Sequence, residues 1–204
     1  MNDILKQEYE QDLNNLILRI FDVLNENLIE KKNKNILNIN GVRLEFLDAP
    51  HVKLGDNNWS DDEVAIYMFY YDNGHKFLKI GKATESSKSR FISQHYNLRG
   101  ANSTLARSIY FDEPYKYNEK GLIRYDEFQE EKIHNLKFKY DESKCKFNSE
   151  DNYGIDNWIY QNCTRIHIKF KISMFNGDHI LLARTLNVIE TVLHCIYLPT
   201  YESK

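Results

Sequence analysis

A tyrosine, a lysine and an arginine fall at spacings that could gather them around one phosphate. Tyr67 lies in the apolar run Ala65 to Tyr71, Lys79 in the run Lys76 to Gly81, and Asp72-Asn73-Gly74 lies between them. Asn-Gly takes the positive φ of a tight turn, so the two runs predict a β-hairpin. Side chains alternate along a strand. Tyr67, Phe69 and Tyr71 are therefore expected on one face with Phe77, Lys79 and Gly81, while Ile66, Met68, Leu78 and Ile80 face the core. Arg90 follows on a helix predicted over roughly 86–98. An unperturbed phenol, with a pKa of about 10, is a poor base at neutral pH, and a neighbouring ammonium favours its phenolate. A guanidinium presents two parallel donors to phosphate oxygens. Such groups could serve the attack of water on a phosphodiester, although on residue type and spacing alone a tyrosine among 14 in the chain reads first as a packing residue.

The elements that must position these groups are read from periodicity. Residues 3–29 repeat apolar side chains at helical spacing (Leu13, Leu16, Ile17, Ile20, Leu24), with acidic residues crowding the first half. Ile36 to Phe46 reads as a second hairpin around Asn40-Gly41. After the first helix beyond Gly81, a short helix is expected from about Ala101, with Asn102 or Ser103 as its cap. Residues 112–156 are charged, tyrosine-rich and weakly periodic, with a helix read around 126–138. In Thr164 to Ile172, the residues Ile166, Ile168 and Phe170 alternate with His167 and Lys169, which predicts a half-buried strand. A final helix is expected over 179–197.

The triplets Ala65-Ile66-Tyr67 and Lys79-Ile80-Gly81, separated by residues 68–78 and followed by Arg90, resemble the signature of the GIY-YIG nuclease family. The ending LNVIETVLHCIYLPTYESK resembles that family's closing helix and tail, with Glu190 in the helix and Pro199-Thr200-Tyr201-Glu202 after it. Ala65 stands where the first glycine is common, Lys79 where the second tyrosine is, and Glu202 where asparagine is. The likeness covers roughly 64–110 and 158–202. It implies an α+β fold: a small three-stranded antiparallel sheet flanked by helices. To this the chain adds an N-terminal helix-plus-hairpin extension (1–63) and, within the nuclease domain of 64–204, an insertion at about 112–156.

The resemblance further implies a metal-dependent DNA endonuclease, a hydrolase making a one-step attack of water on the phosphodiester. Tyr67 would be the base or position the water, with Lys79 beside it. Arg90 would bind the scissile phosphate, and Glu190 would hold one Mg²⁺ or Mn²⁺ ion. His95 is a candidate proton donor or phosphate contact, one residue past the turn position after Arg90. Lys82, Lys88, Arg99, Arg107 and Arg165 are the candidate DNA contacts. Cutting both strands with one site per chain implies a homodimer or sequential nicking. Two alternatives stay open in the sequence: a nucleic-acid-binding module with weakened catalysis, and an interaction subunit of a larger complex.

Charge agrees with a local rather than a global anion site. The net charge is −3, yet residues 73–110 hold seven basic side chains and one acidic, a net of +6. Residues 1–64 carry −6 and residues 111–156 carry −4. That basic segment coincides with the motif and has the footprint of a phosphate-binding surface. Cys145, Cys163 and Cys195 form no Cys-x-x-Cys pair, and neither a signal peptide nor an eighteen-residue apolar run is read, so a cytoplasmic location is expected.

Overall fold

The computed structural model describes residues 3–29, 37–39, 41–51, 60–71, 75–84, 94–98, 104–111, 117–118, 121–122, 142–144 and 154–201. The amphipathic run folds as α1 (Asp3–Ile29). The Asn40-Gly41 hairpin gives β1 (Leu37–Ile39) and β2 (Val42–Leu47), and the motif hairpin gives β3 (Glu63–Tyr71) and β4 (Lys76–Ala83). A 3₁₀ turn (Gln94–Tyr96) and α2 (Leu105–Phe111) come next. Tyr117–Asn118 (β5) and Gly121–Leu122 (β6) pair as a minimal hairpin. The chain closes with α3 (Ile155–Asn162), β7 (Cys163–Lys171) and α4 (His179–Tyr197), the last capped by Asp178, whose carboxylate accepts from the backbone N–H groups of Ile180 and Leu181.

The α+β class is as expected, but the sheet is larger. Among the described residues it has five antiparallel strands in the order β1-β2-β7-β3-β4. The sheet is therefore not the three-stranded one expected; the strands read for it, β3, β4 and β7, form only part of it. The N-terminal hairpin enlarges it because β2 pairs with β7 from Arg43↔Lys169 to Leu47↔Arg165. β2 thereby covers an edge that β7 would otherwise expose.

Both faces of this sheet are buried. On one face Ile66, Met68, Ile80, Ile166, Ile168 and Phe170 meet Ile20 and Leu24 of α1 and Leu182, Leu186, Ile189 and Leu193 of α4. Helix α4 is long and apolar enough to cross a membrane by length and composition; one side of it packs on the sheet, and 28% of its apolar window is buried. On the other face Ala65, Tyr67, Phe69 and Leu78 meet Tyr96, Leu105, Ile109, Trp158 and Ile159.

Three side-chain expectations are corrected. The alternation of β4 fails at its start, where the pairing register shifts between Phe69 and Tyr70. Lys79 pairs with Phe69 and Phe77 with Tyr70, so Leu78 is the extra residue of a bulge. Phe77 consequently joins the α4 face and Leu78 the opposite one. Strand β7 is not half-buried: Cys163 to Phe170 are all buried, including Arg165, His167 and Lys169. The α2 cap is Thr104 rather than Asn102 or Ser103, its Oγ1 accepting from the Arg107 N–H at 3.4 Å. Of the helix expected over 86–98, residues 94–96 form the 3₁₀ turn and residues 85–93 lie outside the described residues, as do those of the helix expected at 126–138.

Candidate functional site

The last turns of β4 and α4 bring distant parts of the sequence together. Lys82 pairs with Ile66 and so leaves the sheet on the α4 side. Its ammonium lies 2.9 Å from Glu190 Oε2 and also donates to Asn187 Oδ1. Asn187 and Glu190 are three residues apart on α4, a spacing that puts them on one helical face. This cluster is open to solvent: the Lys82 side chain is 39% exposed and that of Glu190 21%. An exposed pair of this kind contributes little to stability, about 0–1 kcal/mol.

The chain then turns back over the same strand. Leu198 takes a left-handed conformation (φ 43°), and its N–H closes α4 on the His194 carbonyl. Thr200 N–H donates to the Phe77 carbonyl at 3.0 Å and Tyr201 N–H to that of Leu78 at 2.8 Å. The tail thus covers part of the free edge of β4. Lys79 joins it there, its ammonium donating to the Tyr201 carbonyl at 3.3 Å, with only 3% of the residue exposed.

Tyr67 stands on the opposite face from Glu190. It pairs with Gly81, and its ring lies across that residue. A Cβ at position 81 would sit 2.4 Å from the Tyr67 hydroxyl, so the tyrosine is accommodated because residue 81 is glycine. His95 packs on Tyr67 with ring centroids 4.7 Å apart and on Phe69 at 5.4 Å. Its Nδ1 accepts the Leu105 N–H at 3.1 Å, which places the ring proton of a neutral His95 on Nε2 and ties the 3₁₀ turn to the start of α2. Tyr67 is 2% exposed and His95 0%.

Of the expected site residues, the structure brings Lys82 and Glu190 together, and separately Tyr67 and His95. Lys79 shares the Tyr67 face but stands across from Phe69, and its charge goes to the tail. Arg90, Lys88 and Arg99 lie outside the described residues. Arg107 is buried in α2. Arg165 is wholly buried, with no surface for a DNA phosphate. Its Nη1 donates to the Tyr96 hydroxyl at 3.1 Å, and its guanidinium sits 5.3 Å from the Phe69 ring centroid and 5.7 Å from that of Tyr96. Trp158 is core, packing on Tyr71 at 5.2 Å.

No protein-family model, curated protein or solved structure matches this chain. The chemistry of the site therefore rests on its own groups.

Two buried polar networks lie on the Tyr67 face, and neither was read from the sequence. In the first, His51 Nδ1 donates to the Cys163 carbonyl at 2.6 Å. Its Nε2 then accepts from the Tyr96 hydroxyl at 2.5 Å, and that hydroxyl accepts from Arg165. Burial, reinforced by the Arg165 charge, lowers the His51 pKa to about 4 despite its bond to the carbonyl. Burial likewise raises the Tyr96 pKa, against the pull of Arg165. In the second, the Glu45 carboxylate meets Lys169 Nζ at 3.0 Å, His167 Nδ1 at 3.3 Å and the Arg43 guanidinium. Burial opposes the Glu45 charge, but His167 and Lys169 outweigh it and bring the pKa to about 2. Burial is also the largest influence on His167, whose pKa falls to about 3 even with Glu45 beside it.

Among the described residues Glu190 is thus a partly exposed carboxylate at the motif, whereas the less exposed Glu45 is held by Arg43, Lys169 and His167. Among the described residues no three histidine, cysteine or carboxylate groups cluster. A divalent ion at Glu190 would rest on that carboxylate, water and substrate oxygens, a donor set that suits Mg²⁺. A groove of about 700 Å³ lined by Leu13, Leu16, Val42, Phe170 and Met174 lies elsewhere, beside α1.

Proposed function

We propose that this chain is a metal-dependent DNA endonuclease of the GIY-YIG type, hydrolysing phosphodiester bonds by direct attack of water. The observation that carries the reading is the contact of Lys82 with Glu190 at 2.9 Å. These residues belong to the two sequence blocks that resemble the family, and the tail of the second block lies against the strand of the first. In this reading Lys82 neutralises a phosphate oxygen as a point charge, and Arg90 supplies bidentate donors to the scissile phosphate. A divalent ion held by Glu190 would stabilise charge on the departing 3′ oxygen. The Tyr67 hydroxyl is brought over β4 at Gly81, the residue before Lys82, whose side chain leaves the strand on the other face. Acting as a base, or positioning a water, requires Tyr67 to turn from Gly81 towards solvent when DNA binds, because it is buried in the free chain.

That burial, shared by Lys79 and His95, favours a second reading: a DNA-binding module with weakened catalysis. One experiment separates the two. Supercoiled plasmid, branched DNA and single-stranded DNA are incubated with Mg²⁺ or Mn²⁺ and wild type, Glu190→Ala or Arg90→Ala. The nuclease reading expects metal-dependent cleavage that both substitutions abolish. Salt-sensitive DNA binding without cleavage in all three proteins would overturn it and leave the binding module.

A further inference from the structure

We propose that Asn187 and Glu190 form a single cation site on α4, and that the Lys82 ammonium fills it as an internal competitor of the divalent ion. The inference deepens the nuclease reading and rests on it for its role in catalysis. The cation site itself can be tested without DNA.

Two oxygens of different kinds converge on one ammonium. Glu190 Oε2 supplies charge at 2.9 Å, and Asn187 Oδ1, three residues earlier on the helix, accepts from the same nitrogen. Carboxylate and amide oxygens are the donors that hard divalent ions take, and such ions keep water in their remaining positions. The partial exposure of Glu190 leaves room for that water. Lys82 is also suited to leave, being a flexible side chain, 39% exposed, whose charged head can be rehydrated. Glu45 provides the contrast. Its ammonium partner Lys169 is 2% exposed and its neutral partner His167 is fully buried, so neither can step aside as Lys82 can, and only the exposed Arg43 guanidinium could leave it.

The arrangement gives Lys82 two positions. Without a divalent ion it neutralises Glu190. When an ion enters, the ammonium is displaced from the helix and becomes available to a DNA phosphate. Metal and DNA therefore bind with positive coupling, since each favours the state in which Lys82 has left Glu190. Asn187 is a positioning residue in the free state and an ion ligand in the loaded one.

The test is a titration of the full-length, metal-free chain with Mn²⁺ in the absence of DNA, with free Mn²⁺ followed by electron paramagnetic resonance. Lys82→Met is expected to bind Mn²⁺ about three- to fivefold more tightly than wild type, the size of losing one exposed ion-pair competitor. In the Lys82→Met background, adding Asn187→Ala is expected to weaken binding about threefold, and adding Glu190→Gln to abolish it. Circular dichroism checks folding, and Lys82→Gln replaces Lys82→Met should the latter misfold. Unchanged affinity in the lysine variants, no effect of Asn187→Ala, or no Mn²⁺ binding in any protein would overturn the proposal. Plasmid cleavage is scored separately. Binding that follows the expected order without cleavage would overturn the nuclease reading alone. Cleavage with no dependence of Mn²⁺ binding on Lys82 would overturn this inference alone.

Discussion

The two faces of the sheet are built by different physics. The α1/α4 face is sealed by aliphatic and aromatic side chains, and its charged groups Lys82 and Glu190 sit at a solvent-exposed margin. The opposite face buries Arg165, His167, Lys169 and His51 within the structure, where they meet the carboxylate of Glu45, the Tyr96 hydroxyl and the Cys163 carbonyl. Burial of apolar area holds the first face and is indifferent to pH. Burial of polar groups makes the second depend on each proton and each partner. The contrast indicates where function can reside: charges that hold a fold are enclosed, whereas charges able to exchange a partner for an ion or a phosphate lie at the rim.

Acid should break the comparison most strongly. His51 and His167 have folded pKa values of about 4 and about 3, below the ordinary 6.5. The unfolded chain therefore takes up protons that the folded chain refuses as pH falls below 6.5, and stability declines towards pH 4 and then 3. From pH 7 to 5 each histidine should cost about 2 kcal/mol. Glu45, with a folded pKa of about 2, loses its contribution only below about 4.5 and adds little in this window. Urea unfolding at the two pH values reads the loss, and His51→Gln should remove about half of it. A flat profile would mean that the polar face is not sealed.

Next in size is Leu186→Ala on the apolar face. Leu186 is 1% exposed, and its truncation should cost about 3 kcal/mol, equally at pH 7 and pH 5. A cost that changed with pH would show the faces to be coupled. Gly81→Ala probes the strand they share. The new methyl meets the Tyr67 hydroxyl and ring, so a loss of about 1–3 kcal/mol is expected, together with a change in the Tyr67–His95 packing visible in aromatic NMR shifts. The smallest effect on stability belongs to the rim: Glu190→Gln should shift unfolding by no more than about 0.5 kcal/mol.

Much of this architecture was legible because it depends on local pattern. Asn40-Gly41 and Asn73-Gly74 marked hairpins, and the apolar spacing of α1 and α4 marked helices that pack on the sheet. The alternation of β7 was read correctly as a strand but wrongly as half-exposed. His167 finds its carboxylate on Glu45, 122 residues away, and no local pattern signals that pairing. The bulge before Lys79 left no turn residue to mark it, so Phe77 and Leu78 were assigned to each other's faces. At the site, Glu190 and Lys82 were each picked out separately. Asn187 was missed, although its i−3 spacing from Glu190 was visible, because only the fold shows an ammonium opposite both.

On the nuclease reading proposed above, chemistry resides at the exposed rim and stability in the enclosed faces. The most direct measurement pairs Mg²⁺-dependent plasmid nicking with urea unfolding for Glu190→Gln. Nicking should be lost and unfolding unchanged. Nicking at the wild-type rate by Glu190→Gln, or a loss of nicking that merely follows a loss of stability, would contradict it.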